Sequence, residues 1–166
     1  MLKIDPVVAG VIGGSLILLA TLEIVAAIRA RRRVYVLRGA LFTPAERLFL
    51  SALEKVLPSG VRVFGKVRLA DIFGVKSGLS ARARQGAFNR VSLKHVDFLL
   101  VRSGDLAPLA GIELDDRSHE AEDRQARDAF VDRVFASAGL PMLHVPVQKG
   151  YDLADLKAKL AALLAK

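Results

Sequence analysis

The sequence predicts an α/β domain behind an N-terminal transmembrane helix. The domain is a mixed four-stranded sheet flanked by helices, with an αβββαβ core. Three observations carry this prediction. An apolar run fills residues 7–28. Two apolar strands, VDFLLV (96–101) and LAGIEL (109–114), flank the turn signal Arg102-Ser103-Gly104-Asp105 and read as a hairpin. An amphipathic helix over 119–138 then leads to a further strand, MLHVPV (142–147). A strand added through a crossover helix makes the sheet mixed.

The run 7–28 has 22 positions, one charge (Glu23) and twelve Leu, Ile or Val. As a helix it spans roughly 33 Å, enough for the hydrocarbon core. Its apolar residues contribute roughly −0.3 to −0.6 kcal/mol each, which outweighs about 2.5–3.5 kcal/mol for one acid at mid-membrane. Arg29, Arg31, Arg32, Arg33 and Arg38 follow directly. The positive-inside rule then places the C-terminal domain in the cytoplasm and the short N-terminus outside. A cleaved signal peptide would carry its basic residues before the run, not after it. A buried or interfacial helix is the alternative, and Gly10, Gly13 and Gly14 also suit close helix packing. The expected organisation is an anchor over 1–29, a basic juxtamembrane linker over 30–40 that meets anionic headgroups, and an α/β domain over 41–166.

Thr43-Pro44-Ala45-Glu46 is a helix start: Thr43 caps, Pro44 suits the first position, and Glu46 completes a capping box. Leu48, Phe49, Ala52, Leu53 and Val56 follow at helical spacing, and Pro58-Ser59-Gly60 ends the helix. VRVF (61–64) alternates as a strand. Residues 65–90 are Gly- and Arg-rich, with one short apolar patch at Leu69–Phe73, and read as a long loop that can include a helical turn, a length that is usually functional or mobile. After the hairpin, Ala126, Phe130, Val131, Val134, Phe135 and Ala138 form the stripe of the 119–138 helix, which Gly139 and Pro141 stop. A Leu/Ala helix over 152–165 closes the chain.

Net charge is +8, and it is patterned. Residues 62–94 carry eight Lys/Arg against the single Asp71, whereas 97–132 carry ten acids against four arginines. A basic segment beside an acidic cluster suits a protein that attracts a polyanion and holds a cation. The absence of cysteine excludes disulfides, thiolate metal sites, cysteine nucleophiles and lipid attachment through cysteine. No G-x-S-x-G, Walker A or G-x-G-x-x-G motif occurs, and the three histidines lack zinc spacing.

The stretch GIELDDRSH (111–119) runs a strand into three acids and a histidine. With the hairpin turn centred on Asp105, Asp97 lies opposite Glu113. Opposed Cβ atoms sit about 4.5–5.5 Å apart, where like charges are destabilising. Asp115, two residues on, shares that face if the strand persists. Carboxylates so placed call for a neutralising partner, and a hard divalent cation such as Mg²⁺ takes oxygen ligands and keeps waters for chemistry. Asp97, Glu113 and Asp115 are therefore the candidate metal ligands. A one-residue slip would move one partner to the other face.

Here the chain resembles a family. Asp97 in K-H-V-D-F, Glu113 in I-E-L-D, then a helix and a final strand resemble the PD-(D/E)xK nuclease superfamily, with its restriction-endonuclease-like fold. More closely, H-V-D-F-L-L, I-E-L-D-D-R-S-H and R-Q-A-R-D-A-F are similar to a bacterial domain-of-unknown-function family, number 2726, itself similar to very-short-patch repair endonuclease-like proteins. The likeness covers about residues 41–148. It implies phosphodiester cleavage dependent on Mg²⁺ or Mn²⁺, and with the N-terminal anchor the expected location is a bacterial inner membrane. Asp97 and Glu113 would be the metal carboxylates, with a backbone carbonyl near Leu114 as a further ligand. At position 115, where the superfamily pattern has lysine, this chain has Asp115. Lys94, Arg124 and Arg127 are candidate replacements. His119 occupies the place of a catalytic histidine in the repair-endonuclease-like relatives, so the expected catalytic set is Asp97, Glu113, Asp115, His119 and Lys94.

Plainer readings stand beside these. The capping box explains Glu46, which could otherwise be a helix-borne acid supporting the metal site; packing explains His144, and a helix-start surface position suits His119. Asp116 belongs to a turn or cap. Arg82, Arg84, Arg90 and Lys94 surround Phe88 and Asn89, where they would neutralise phosphates or simply keep a loop soluble. Three functions remain open: a membrane-anchored nuclease acting on DNA or RNA, with DNA the first choice, a binding module on the same fold that has lost catalysis, and a tethered protein-interaction domain.

Overall fold

The apolar run forms one helix, α1 (Pro6–Arg31), in a computed structural model that describes residues 5–31, 35–37, 39–115 and 121–165, the side chains at 6, 9, 30, 31 and 121–128 excepted. Within α1 the stretch Gly10–Arg29 is long and apolar enough to cross a membrane. Its hydroxyls are satisfied inside the helix: Ser15 donates to the Val11 carbonyl at 2.9 Å and Thr21 to the Ile17 carbonyl at 2.9 Å. Residues 1–41 form one compact unit and 42–166 another.

The second unit opens with α2 (Pro44–Val56), whose capping box is formed in full. Then come β1 (Val61–Arg68), α3 (Leu69–Ile72), α4 (Ala81–Ser92), β2 (His95–Arg102), β3 (Pro108–Asp115), α5 (Ala121–Ser137), β4 (Met142–Pro146) and α6 (Leu153–Leu164). The sheet order is β1-β2-β3-β4. The first two pairings are antiparallel and the last is parallel, so the sheet is mixed as the crossover helix requires.

The stretch read as a loop over 65–90 is mostly regular. Residues 65–68 continue β1, and α3 and α4 follow. Ser80 caps α4, its hydroxyl accepting the Ala83 N–H at 3.3 Å. Val91 is the buried residue of α4, so no apolar stripe marked the helix in the sequence.

Two cores cover the two faces. Phe98, Leu100, Ala110 and Ile112 pack against Phe49 and Leu53 of α2 and Leu156, Leu160 and Leu163 of α6. Leu69, Val91, Leu99, Val101, Val131 and Phe135 form the other core. Alternation along β2 and β3 produces this division. Gly111 lets α5 approach the sheet: a Cβ there would lie 2.5 Å from Phe135 Cε1 and 3.0 Å from Met142 Sδ.

Candidate active site

The hairpin has the register expected. Phe98 faces Ile112, Leu99 faces Gly111 and Leu100 faces Ala110; the irregularity after Leu100 falls toward the turn. Continuing the register puts Asp97 opposite Glu113, close enough for Glu113 to act on the Asp97 pKa.

On the other side of β2 stands a residue the sequence reading passed over. Gly65 faces Phe98 and Val67 faces Val96, so Lys66 lies across from Asp97. Lys66 Nζ donates to Asp97 Oδ1 at 2.8 Å and also to Glu46 Oε1. The other Glu46 oxygen accepts the Thr43 N–H at 2.8 Å. Glu46 therefore caps α2 with one oxygen and holds Lys66 with the other.

The backbone bends to make this possible. Lys66 has φ 56°, a left-handed conformation uncommon outside glycine. Beyond it the strands exchange faces. Phe98 belongs to the α2/α6 core and Val96 to the other, although they stand two apart. Val67 joins Val96 in that second core. A regular strand would keep positions two apart on one face. Strain of this kind costs about 1–3 kcal/mol and persists where surrounding structure fixes it; here two carboxylates hold the ammonium. Gly65 helps, since Phe42 lies where a Cβ would be, 2.1 Å from its Cζ.

Charges are set accordingly. Burial works against the Asp97 carboxylate, but Lys66, the Leu114 N–H (donating to Oδ2 at 3.1 Å) and Glu113 outweigh it and hold its pKa below the ordinary aspartate value. Burial likewise opposes charge on Lys66, yet Asp97 and Glu46 raise its pKa.

Asp115 belongs to a second cluster. Its Oδ1 lies 3.1 Å from His144 Nδ1, and His144 Nε2 lies 2.8 Å from Asp132 Oδ1. Both ring nitrogens thus face carboxylates, as in an imidazolium. Burial lowers the His144 pKa, but the two aspartates reverse this and the net shift is upward. His144 is a charge partner here, not the packing residue the sequence suggested. It stands beside Glu113 in the parallel β3–β4 register.

A cleft of about 320 Å³ brings Glu113 together with Lys94, His95, Asn89 and Arg90. Lys94 Nζ also sits 5.5 Å from the Phe130 ring centroid, within cation–π range. Arg82 and Arg84 are exposed in the first turn of α4. His119 and Asp116, with the side chains of Arg124 and Arg127, lie outside the described residues.

Mg²⁺ is commonly held by one or two carboxylates, waters and substrate phosphate. Asp97 and Glu113 adjoin in the register, and both Asp97 oxygens accept hydrogen bonds, Oδ1 from Lys66 and Oδ2 from the Leu114 N–H. Asp115 turns to His144 instead, and among the described residues no group of three or more acids and histidines converges as a metal site.

The family model described as "Protein of unknown function (DUF2726)" matches residues 38–163. No curated protein and no solved structure matches the chain.

Proposed function

The chain belongs to the DUF2726 family, and we propose that its α/β domain is a metal-dependent, nuclease-like hydrolase of phosphodiester bonds in DNA, held at the cytoplasmic face of a bacterial inner membrane by α1. One observation carries the reading. Lys66 Nζ meets Asp97 at 2.8 Å, directly beside the Asp97–Glu113 pair. It supplies the cation missing at Asp115, from a neighbouring strand.

Mg²⁺ or Mn²⁺ held by Asp97 and Glu113 would polarise the phosphate and lower the pKa of an attacking water. Lys66 stabilises the negative charge that develops on the phosphoryl oxygens. Glu46 positions Lys66 and the Leu114 N–H positions Asp97. Arg90 and Lys94 neutralise the strand at the cleft, and Arg82 and Arg84 extend that basic path along α4. His119 stays the candidate for proton transfer. The length and apolarity of α1 support the tether, and the arginines after it support the orientation.

The test is cleavage of labelled DNA and RNA by the full chain in detergent, with Mg²⁺, Mn²⁺ or EDTA. Metal-dependent cleavage is expected, with Glu113→Gln and Lys66→Met each slower by about 10²–10³-fold. Full activity in Glu113→Gln sinks the proposal. A second reading, binding without turnover, draws on Asp115 standing where lysine was expected and being engaged by His144. It predicts salt-dependent binding, weakened by charge reversal at Arg82 and Arg84, with no metal-dependent cleavage.

A further inference from the structure

The cleft at Glu113 does not end at its basic wall. Arg90 also lines a second, larger groove of about 500 Å³ between α4, α5 and the residues after α3. That groove is walled by Phe73, Ala87, Val91, Phe130 and Val134. Lys94, in the cleft, sits over Phe130, in the groove. A charged cleft and an apolar groove therefore share one boundary, formed by Arg90 and the Lys94–Phe130 contact.

The charge on the α4 side of both is one-sided. Residues 72–96 contain Lys76, Arg82, Arg84, Arg90 and Lys94 and no acid. Exposed apolar groups are interleaved: Phe88 is 46% and Leu93 91% exposed. Cations beside an aromatic-walled hollow match the two halves of a nucleotide, an anionic phosphate and a flat apolar base. A base inside a duplex must unstack and unpair before it can enter a side groove, at a cost of about a few kcal/mol that an unpaired base does not bear.

We propose that the substrate enters as an unpaired strand: a base seats in the groove between Phe73 and Phe130 while Arg90 and Lys94 hold its phosphate beside Glu113. This rests on the hydrolase reading for the identity of the cleft, and it adds a substrate class, single-stranded DNA or the unpaired segment of a duplex. The preference comes from the groove and the catalytic power from the carboxylates, so the two separate by experiment.

Binding is measured by fluorescence anisotropy with the full chain in detergent and EDTA. The probes are a labelled mixed-sequence DNA strand, the same sequence as a blunt duplex, and an abasic strand of equal length. The single strand is expected to bind about tenfold tighter than the duplex, and the abasic strand to lose that advantage. Ala87→Leu fills the groove from α4 without removing a core side chain. It should lower single-strand affinity about tenfold with duplex affinity and melting temperature unchanged. Equal binding of strand and duplex, an abasic strand that binds like the intact one, or an indifferent Ala87→Leu each overturns the proposal. Base-dependent binding without metal-dependent cleavage upholds the groove and removes the hydrolase; cleavage without strand preference does the reverse.

Discussion

Two carboxylate–cation–carboxylate clusters stand on this sheet, and they are built differently. Glu46–Lys66–Asp97 joins α2, β1 and β2. Asp115–His144–Asp132 joins β3, β4 and α5. In the first, the side chains are 12–24% exposed and the cation is a lysine whose pKa is raised further. In the second they are 36–49% exposed and the cation is an imidazole. Low exposure strengthens a charge pair and raises the cost of breaking it; high exposure lets water and salt screen it. The first cluster is thus a fixed electrostatic element, and the second is one that pH and salt can dismantle.

Removing the fixed cation should have the largest effect. Lys66→Met leaves Glu46 and Asp97 facing each other without a counter-charge, at an expected cost of about 2–4 kcal/mol. Urea unfolding at neutral pH measures it, and a change within error of zero would erase the distinction between the clusters. Acid titration sharpens the same point. Asp97 has a folded pKa below its unfolded value, so its stabilisation is present above the unfolded pKa and lost as pH falls through the folded one. That acid limb should be missing from Asp97→Asn.

His144 has the opposite sign. Its folded pKa is raised, so its stabilisation is complete below the unfolded value near 6.5 and is lost as pH rises through the folded value. Exposure limits it to less than about 1 kcal/mol. The difference in stability between the unmodified chain and His144→Ala should therefore shrink from pH 6 to pH 9 and with added salt. A constant difference would show that packing, not charge, holds His144. Smallest of all, Asp115→Asn should shift stability by no more than about 0.5 kcal/mol, because Asp132 remains on the ring.

The sequence made the β2–β3 hairpin legible because its parts are local. A turn signal and two apolar runs set the register, and the register paired Asp97 with Glu113. The capping box at Thr43 was legible for the same reason. The α4 helix was not, because ARARQGAFNRVS buries so little that its periodicity is silent. Lys66 was missed for a third reason. Its partners are 20 and 31 residues away, and Gly65 interrupts the alternation of VRVF that would have carried the strand to it. Val67, two beyond Gly65 on the same odd-numbered series as Val61 and Val63, was the signal that the strand continued. His144 read as packing because a lone histidine among MLHVPV gives no sign that α5 returns an aspartate to it.

The exchange of faces at Lys66 and Asp97 also bears on how the strands find each other. Regularly alternating strands can slide past one another by two residues and still present apolar groups to the proper side. β1 and β2 cannot, because each carries its own reversal and the two must coincide. Sliding by two would set the kink of one strand against the straight run of the other and push Val67 or Val96 out of its core. The left-handed residue that aims an ammonium at a carboxylate thereby works as a key, admitting one alignment of the sheet and refusing its neighbours.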